Sequence, residues 1–521
     1  MLGGGGDGYM MTEDVARMGT LISWLFKRRY VVLSLALFGV MCLITANGQM
    51  GEDFWEHSAV VRELATHTLH PRHPEFLLDA PHAFYSPYAL SVALLSRAAH
   101  ADAVAALSFA GLFNLALFLF GLRFFVSSVV PEHRDATAFY TLLLVLFWWG
   151  ADAWFYGGFF HLRILGFVLA YPSTFAASLT FIAFGLYKRQ MADRRRIWLV
   201  PIFLIAATVL LCHPLTFLFL ATGLVAMPWG EEGNHILQTA QVAALLSLAF
   251  LFASLWHYFP LLKLLTRESD VYHASNIDVY RRVLGAIWPA LVGVPLVFTQ
   301  IRSRWCRPLL IMLVVLSALY LYGDVSGKYS YGRVIAYVVL LLHVTIAERL
   351  AALEARVGAL RPASALQRLI VPACVVIFTL CLSFEPLRDT FERARPDGQP
   401  DYKAYLFLSQ YTGQYEVVLS DLQTSWMVPT FGGKIVAMLH AAAFVPDQGV
   451  RRSDVDHFFS AEATPEDRQR IIEKYGVRYL LLNKSSQANW QELQREFAPT
   501  GRLAFENDKF VLISLRPQSE P

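Results

Sequence analysis

Charge is what this 521-residue sequence has little of. Asp, Glu, Lys and Arg make up 16% of it, against roughly a quarter in soluble domains. A chain that is globular and water-soluble throughout is therefore excluded. Cysteine is scarce as well. Cys42, Cys212, Cys374 and Cys381 lie in apolar runs and Cys306 in a basic loop, where they act as small apolar residues. None lies beyond residue 385, so the C-terminal part can hold no internal disulfide. The net charge of +3 is too small to argue for a nucleic-acid partner. No internal repeat is evident, which weakens an inverted-repeat transporter reading.

The hydrophobic residues, 55% of the chain, are abundant and unevenly placed. About 20 apolar residues cross a bilayer. That rule places some eleven spans near 30–46, 103–122, 136–151, 172–187, 197–212, 214–229, 238–256, 283–300, 308–323, 332–348 and 368–384. Residues 197–229 could instead be one helix kinked at Cys212-His213-Pro214. The run Gly3-Gly4-Gly5-Gly6 is low-complexity, and the first apolar segment reads as a retained helix, not a cleaved signal peptide. Five basic clusters punctuate the spans: Lys27–Arg29, Arg123 with Arg134, Lys188–Arg196, Arg302–Arg307 and Arg349–Arg368. With a cytoplasmic N-terminus and eleven spans, all five fall on the cytoplasmic side, as the positive-inside rule requires.

The expected organisation is a cytoplasmic tail (1–29), a transmembrane domain (30–384) and an extracytoplasmic α/β domain (385–521). Four loops, 47–102, 152–171, 257–282 and 324–331, share the outer face with that last domain. Residues 349–367 read as a short cytoplasmic surface helix. The fold class is thus a polytopic α-helical membrane protein with a soluble C-terminal α/β domain, in the bacterial inner (cytoplasmic) membrane. Within that domain 416–421, 434–439 and 477–482 read as strands and 501–515 as a hairpin. Thr464-Pro465-Glu466-Asp467 starts a helix that closes at Gly476, and Asn489 begins another that runs through Phe497. Together they imply a mixed sheet with helices.

Candidate chemistry gathers in the outer loops. Gly51-Glu52-Asp53-Phe54-Trp55-Glu56-His57 follows the first span directly. Three carboxylates and an imidazole there are costly beside lipid unless they face a solvated cavity. On a helix over 53–67, Asp53, Glu56, His57 and His67 share or adjoin one face, and a carboxylate so placed can act as general base on an acceptor hydroxyl. The competing reading is an interfacial charge cluster. His67, His70, His73 and His82 crowd the same loop, but their spacing matches no closed zinc pattern. A divalent metal is therefore possible without being indicated. His161 and Arg163 sit in an apolar stretch, and Lys263 and Arg267 follow a span. The loop from Asp324 to Arg333 offers Lys328 and Arg333 as charge and fork for phosphate, with Tyr329 and Tyr331 as hydrogen-bond donors. A short loop anchored by interfacial Tyr and Lys reads equally well. His213, beside Pro214, is a kink residue or a functional one.

The acidic motif after the first span, the many spans and the outer C-terminal domain together resemble the GT-C superfamily of integral-membrane glycosyltransferases. The stretches Ser420-Asp421, Thr424-Ser425 and Glu473–Tyr479 also look like the tail domains of such proteins. The resemblance implies a polyprenyl-phosphate-linked sugar as donor and a glycan, lipid or protein acceptor at the membrane. It makes Asp53, or its neighbour Glu52, the catalytic base. Glu56 would tune it or bind acceptor, and Lys328 and Arg333 would hold donor phosphate; His57, Arg163, Lys263, Tyr329 and Tyr331 are the further candidates for acceptor or donor binding. The chain carries Glu-Asp where relatives commonly have Asp-Glu, so the choice between Glu52 and Asp53 stays open. A transporter or flippase, or a non-catalytic scaffold for envelope polysaccharide assembly, are the alternatives.

Overall fold

The computed structural model describes residues 27–51, 53–359, 365–396, 400–440 and 442–515. Glu52, the Gly3–Gly6 run and Arg361 lie outside the described residues. The membrane part is a bundle of helices: α1 (Arg29–Ala46), α2 (Phe54–Thr66), α3 (Pro87–Ala99), α4 (Ala103–Val129), α5 (Arg134–Phe147), α6 (Leu162–Val168), α7 (Pro172–Asp193), α8 (Leu199–Cys212), α9 (Pro214–Ala226), α10 (His235–Ala253), α11 (Cys306–Ser326), α12 (Ile335–Ala359), α13 (Ala365–Leu382) and α14 (Phe384–Ala394). Among the described residues five helical segments are long and apolar enough to cross a membrane alone, or up to seven if each of two bent pairs is one span.

Several local breaks are written in the sequence. The segment 197–229 is two helices, because Pro214 lacks the N–H a continuous helix needs and His213 leaves helical geometry at φ −157°. His213 caps the second helix, its Nδ1 accepting from Thr216 N. Residues 283–300 form short pieces, Val283–Ile287, Ala290–Val292 and Gly293–Thr299, not one helix. Residues 349–359, expected as part of a separate surface helix, continue α12 without a break; Leu350, Leu353 and Val357 extend the apolar stripe of that helix. The bent pairs are α6 with α7, at 105°, and α13 with α14, at 75°.

Helix α2 departs from an interfacial amphipathic helix: nearly its whole circumference is buried, Glu56, His57 and Glu63 included. The cover comes from the C-terminal region. There a five-stranded sheet, β1 (Val417–Leu419), β2 (Lys434–Ile435), β3 (Val477–Asn483), β4 (Gly501–Glu506) and β5 (Phe510–Leu515), has the order β2-β1-β3-β5-β4. The first three strands in that order pair in parallel and the hairpin antiparallel. Helices α15 (Gln448–Phe458), α16 (Pro465–Tyr475) and α17 (Trp490–Phe497) pack on it. Helix α16 starts at Thr464 and ends at Gly476 as expected; Thr464 and Asp467 form a capping box, and the Gly476 φ of +61° suits glycine.

The sheet edge is tied to the first outer loop. Ile435 N donates to Glu75 O at 2.8 Å, and Phe76 bridges Ile435 in parallel. Lys434, 3% exposed at its side chain, donates to Glu63 Oε2 (2.9 Å), His73 O (2.8 Å) and Pro74 O (2.9 Å). Thr430 Oγ1 donates to Trp55 O, and Arg62 donates to Pro429 O and Gly432 O. One hydrophobic core runs from α2 and the bundle into Val418, Val428, Phe431 and Leu481 of the sheet region.

Candidate active site

Asp53 stands at the first turn of α2 without capping that helix through its side chain. One turn on, Glu56 points the same way, as a spacing of three on a helix dictates. His440, in the segment leaving the carboxyl end of β2, completes the group. Asp53, Glu56 and His440 each bring a ligand-capable atom within 4.8 Å of the others. Trp426 closes over them: its Nε1 donates to Glu56 Oε1 at 3.2 Å, and its ring meets His440 edge-on at 4.6 Å.

Burial acts differently on the two acids. It raises Asp53 above the usual carboxylate range, while the nearby charges of His440 and Arg333 oppose the rise. Glu56 is buried more deeply and is pushed well up, by burial first and then by Asp53 and Glu75, against the Trp426 hydrogen bond. Two carboxyl groups in one site that feel different environments divide into a protonated and an ionised member. Of the two, Glu56 is raised the further toward the protonated form. With a divalent cation the same three residues are instead a fit donor set of two oxygens and one nitrogen.

Arg333 reaches the group from the turn Tyr329–Val334. Its Nη2 donates to Gly157 O, its guanidinium lies 5.6 Å from the Tyr156 ring centre, and its Nε has no hydrogen-bond partner among the described residues. Gly157 leaves room for this: a Cβ there would stand 3.1 Å from Arg333 Nη2 and 2.8 Å from Ser173 Oγ, so those side chains would have to shift. His57 is wedged between Phe84 (4.5 Å) and Tyr171 (5.1 Å), and burial pushes it down to about 3, so it is a neutral ring. His213 lies within electrostatic reach of Arg333 and His57 and hydrogen-bonds Thr216, which in turn meets Tyr337 OH.

The remaining candidates sit elsewhere or do something else. Arg163 on α6 pairs with Asp389 on α14 at 3.7 Å and lies over Phe155. Lys263 is half-buried in the turn Leu261–Leu265. Lys328 is exposed, Tyr329 packs on Tyr280, and Tyr331 packs against Tyr322 and His273. Three residues of the group were not singled out from sequence: His440, Trp426 and Tyr272. The phenol of Tyr272 feels the charges of Glu56, Glu75 and Asp53, and with burial they raise it. His440 had one usable signal, since sites gather past the carboxyl ends of parallel strands.

No protein-family model and no curated protein matches this chain. Solved structures do. The Archaeoglobus fulgidus oligosaccharyltransferase, solved with a tethered acceptor peptide, is 13% identical, with a TM-score of 0.57 over 96% of this chain and 75% of that one. ArnT from Cupriavidus metallidurans, bound to undecaprenyl phosphate, is 12% identical, with a TM-score of 0.51 over 94% of this chain and 100% of that one. The mycobacterial arabinofuranosyltransferase AftD is 14% identical, with a TM-score of 0.56 over 95% of this chain and 40% of that one. The chain therefore has the fold of the GT-C glycosyltransferases, and its described residues include helices long and apolar enough to cross a membrane. The three scores are too close together to single out a subfamily.

Proposed function

We propose that this protein is a GT-C glycosyltransferase that moves a sugar from a polyprenyl-phosphate-linked donor to an acceptor at the outer face of the cytoplasmic membrane. The observation that carries the reading is a half-buried carboxylate, Asp53, within electrostatic reach of Arg333, whose Nε is unpartnered among the described residues, in a chain of this fold. Asp53 takes the proton of the acceptor hydroxyl as its oxygen bonds to the anomeric carbon. The bond from that carbon to the phosphate oxygen breaks, and the electron pair leaves with the phosphate. Arg333 neutralises the charge that develops there. Glu56, kept protonated, donates a hydrogen bond within the site, and Trp426 holds it in place. A divalent cation on Asp53, Glu56 and His440, where present, would supply further charge for the phosphate. Solved relatives bind undecaprenyl phosphate, or dolichol phosphate with a peptide, which supports a lipid-linked donor here.

The test is transfer by the purified chain in lipid across a panel of polyprenyl-phosphate sugars, with the Asp53→Asn protein alongside. The expected result is transfer from one donor that the variant loses. Full transfer by the variant would sink Asp53 as the base, and no transfer by either protein from any donor would favour a carrier or scaffold.

A further inference from the structure

The first outer loop holds a second polar cluster that the proposed reaction does not use. Glu75 is 2% exposed and both its carboxyl oxygens lack a hydrogen-bond partner among the described residues. His73 is 1% exposed, and its Nε2 has no hydrogen-bond partner among the described residues. His82 completes the set, with its side chain 13% exposed. Glu75 Oε2 lies 3.2 Å from His73 Nδ1 and 3.3 Å from His82 Nε2, and the two imidazole rings stand 5.0 Å apart at 88°.

A buried carboxyl group with neither oxygen bonded is costly, on the order of 1–3 kcal/mol or more. A cation between this carboxylate and the two rings would remove that cost. Tetrahedral zinc, with bonds of 2.0–2.2 Å to N and O ligands, separates neighbouring ligand atoms by about 3.3–3.5 Å. The two spacings around Glu75 Oε2 are close to that. Two imidazoles and one carboxylate also make a donor set that suits zinc. One feature resists: the backbone N–H groups of Glu75 and Phe76 point at His73 Nδ1, and that of Phe84 at His82 Nδ1. Each contact is 3.3 Å, beyond the usual N–H hydrogen-bond range, so little is lost when the metal takes His73 Nδ1, or when His82 ligates through Nε2 and carries its proton on Nδ1.

We propose that His73, Glu75 and His82 form a zinc-type divalent metal site, separate from the group at Asp53, with a fourth position open to water. Its place in the fold gives it a role. Glu75 O pairs with Ile435 N at the sheet edge, and Lys434 holds the carbonyls of His73 and Pro74. An ion here fixes the loop 73–82 as a rigid strap between α2 and the C-terminal sheet.

The full-length protein in detergent is stripped with chelator, reloaded with zinc sulfate, desalted, and assayed for zinc by mass spectrometry. The His440→Ala protein is treated identically, to empty the other candidate group. Both are expected to retain about one zinc per chain at this site, and Glu75→Gln and His82→Asn to lose it in the His440→Ala background. Cobalt loading of the unsubstituted loop, in that same background, should give the visible absorption of a four-coordinate site. That readout needs no loop variant to fold. Retention that vanishes with His440→Ala alone, retention unchanged by both loop variants, or a cobalt spectrum with no such band each overturns the proposal in favour of a protonated Glu75 between two neutral imidazoles.

Discussion

Helix α2 carries two buried acidic sites about two turns apart, and they are opposites. At Glu63 every lone pair is used. Lys434 Nζ and Gln414 Nε2 donate to Oε2 at 2.9 and 3.0 Å, while Tyr415 OH and Arg72 N donate to Oε1 at 2.9 and 3.0 Å. Burial would raise this carboxyl group, but Lys434 and the hydrogen bonds outweigh it and hold it below the ordinary value. Among the described residues, Asp53 and Glu56 receive one indole N–H, with His440 and Arg333 acting at a distance, and both acids are raised. A carboxylate satisfied by its own fold is a fastener. One left short of partners is poised for a proton, a cation or a substrate.

The contrast breaks most sharply under substitution. Asp53→Asn is expected to lower transfer by about 10²- to 10⁴-fold, the range for losing a general base. Its thermal unfolding should match the parent, because Asp53 makes no side-chain cap on α2. Glu56→Gln mimics the protonated form and should cost less than tenfold, as about one hydrogen bond is altered. Initial rates on one donor separate the two. Equal losses in both variants would instead mark Glu56 as ionised, as a metal ligand would be.

At the fastener the effect moves from rate to stability. Lys434→Met leaves Glu63 buried without its cation, which costs about 3–5 kcal/mol. The double variant Glu63→Leu with Lys434→Met should lose less than the sum of the singles. Denaturant unfolding in detergent measures both. Transfer should fall with stability here, since the segment that Lys434 anchors also delivers His440.

Acid sharpens the comparison further. Glu63 is held below its ordinary value of 4.5, so its contribution is present above that pH and is lost as pH falls through the lower folded value. Stability attributable to this contact should be flat above about pH 4.5 and decline below it. In Glu63→Gln that acid limb should be shallower. Tryptophan fluorescence during unfolding, recorded from pH 7 to pH 3, reads the difference.

Much of this was legible in the chain. Thr464-Pro465 and Gly476 bound a helix through local chemistry alone, and Val477–Leu482 announced a buried strand by its apolar run. Asp53 drew attention because charge just beyond a span needs a reason. What the sequence hid was contact across long separations. Glu63 and Lys434 are ordinary surface-type residues until the sheet edge docks on α2, and no local pattern pairs them. His440 hid for the same reason. The short pieces over 283–300 were missed because hydropathy registers how apolar a segment is and not where its hydrogen bonds break.

The smallest effect belongs to Arg163, which drew attention as a charge in an apolar stretch. Its partner Asp389 lies 3.7 Å away and both side chains are about one-third exposed (32% and 37%). A pair of this kind is worth about 0–1 kcal/mol, against about 3–5 for Lys434. The pair joins the two bent arms, α6 and α14, where Arg393 also donates to Arg163 O at 3.4 Å. Backbone contacts there survive the loss of the side chain. Arg163→Ala should therefore lower stability by less than about 1 kcal/mol and change the donor KM less than threefold. A larger rise in KM, with stability intact, would move Arg163 from the architecture of these arms to the grip on the donor phosphate.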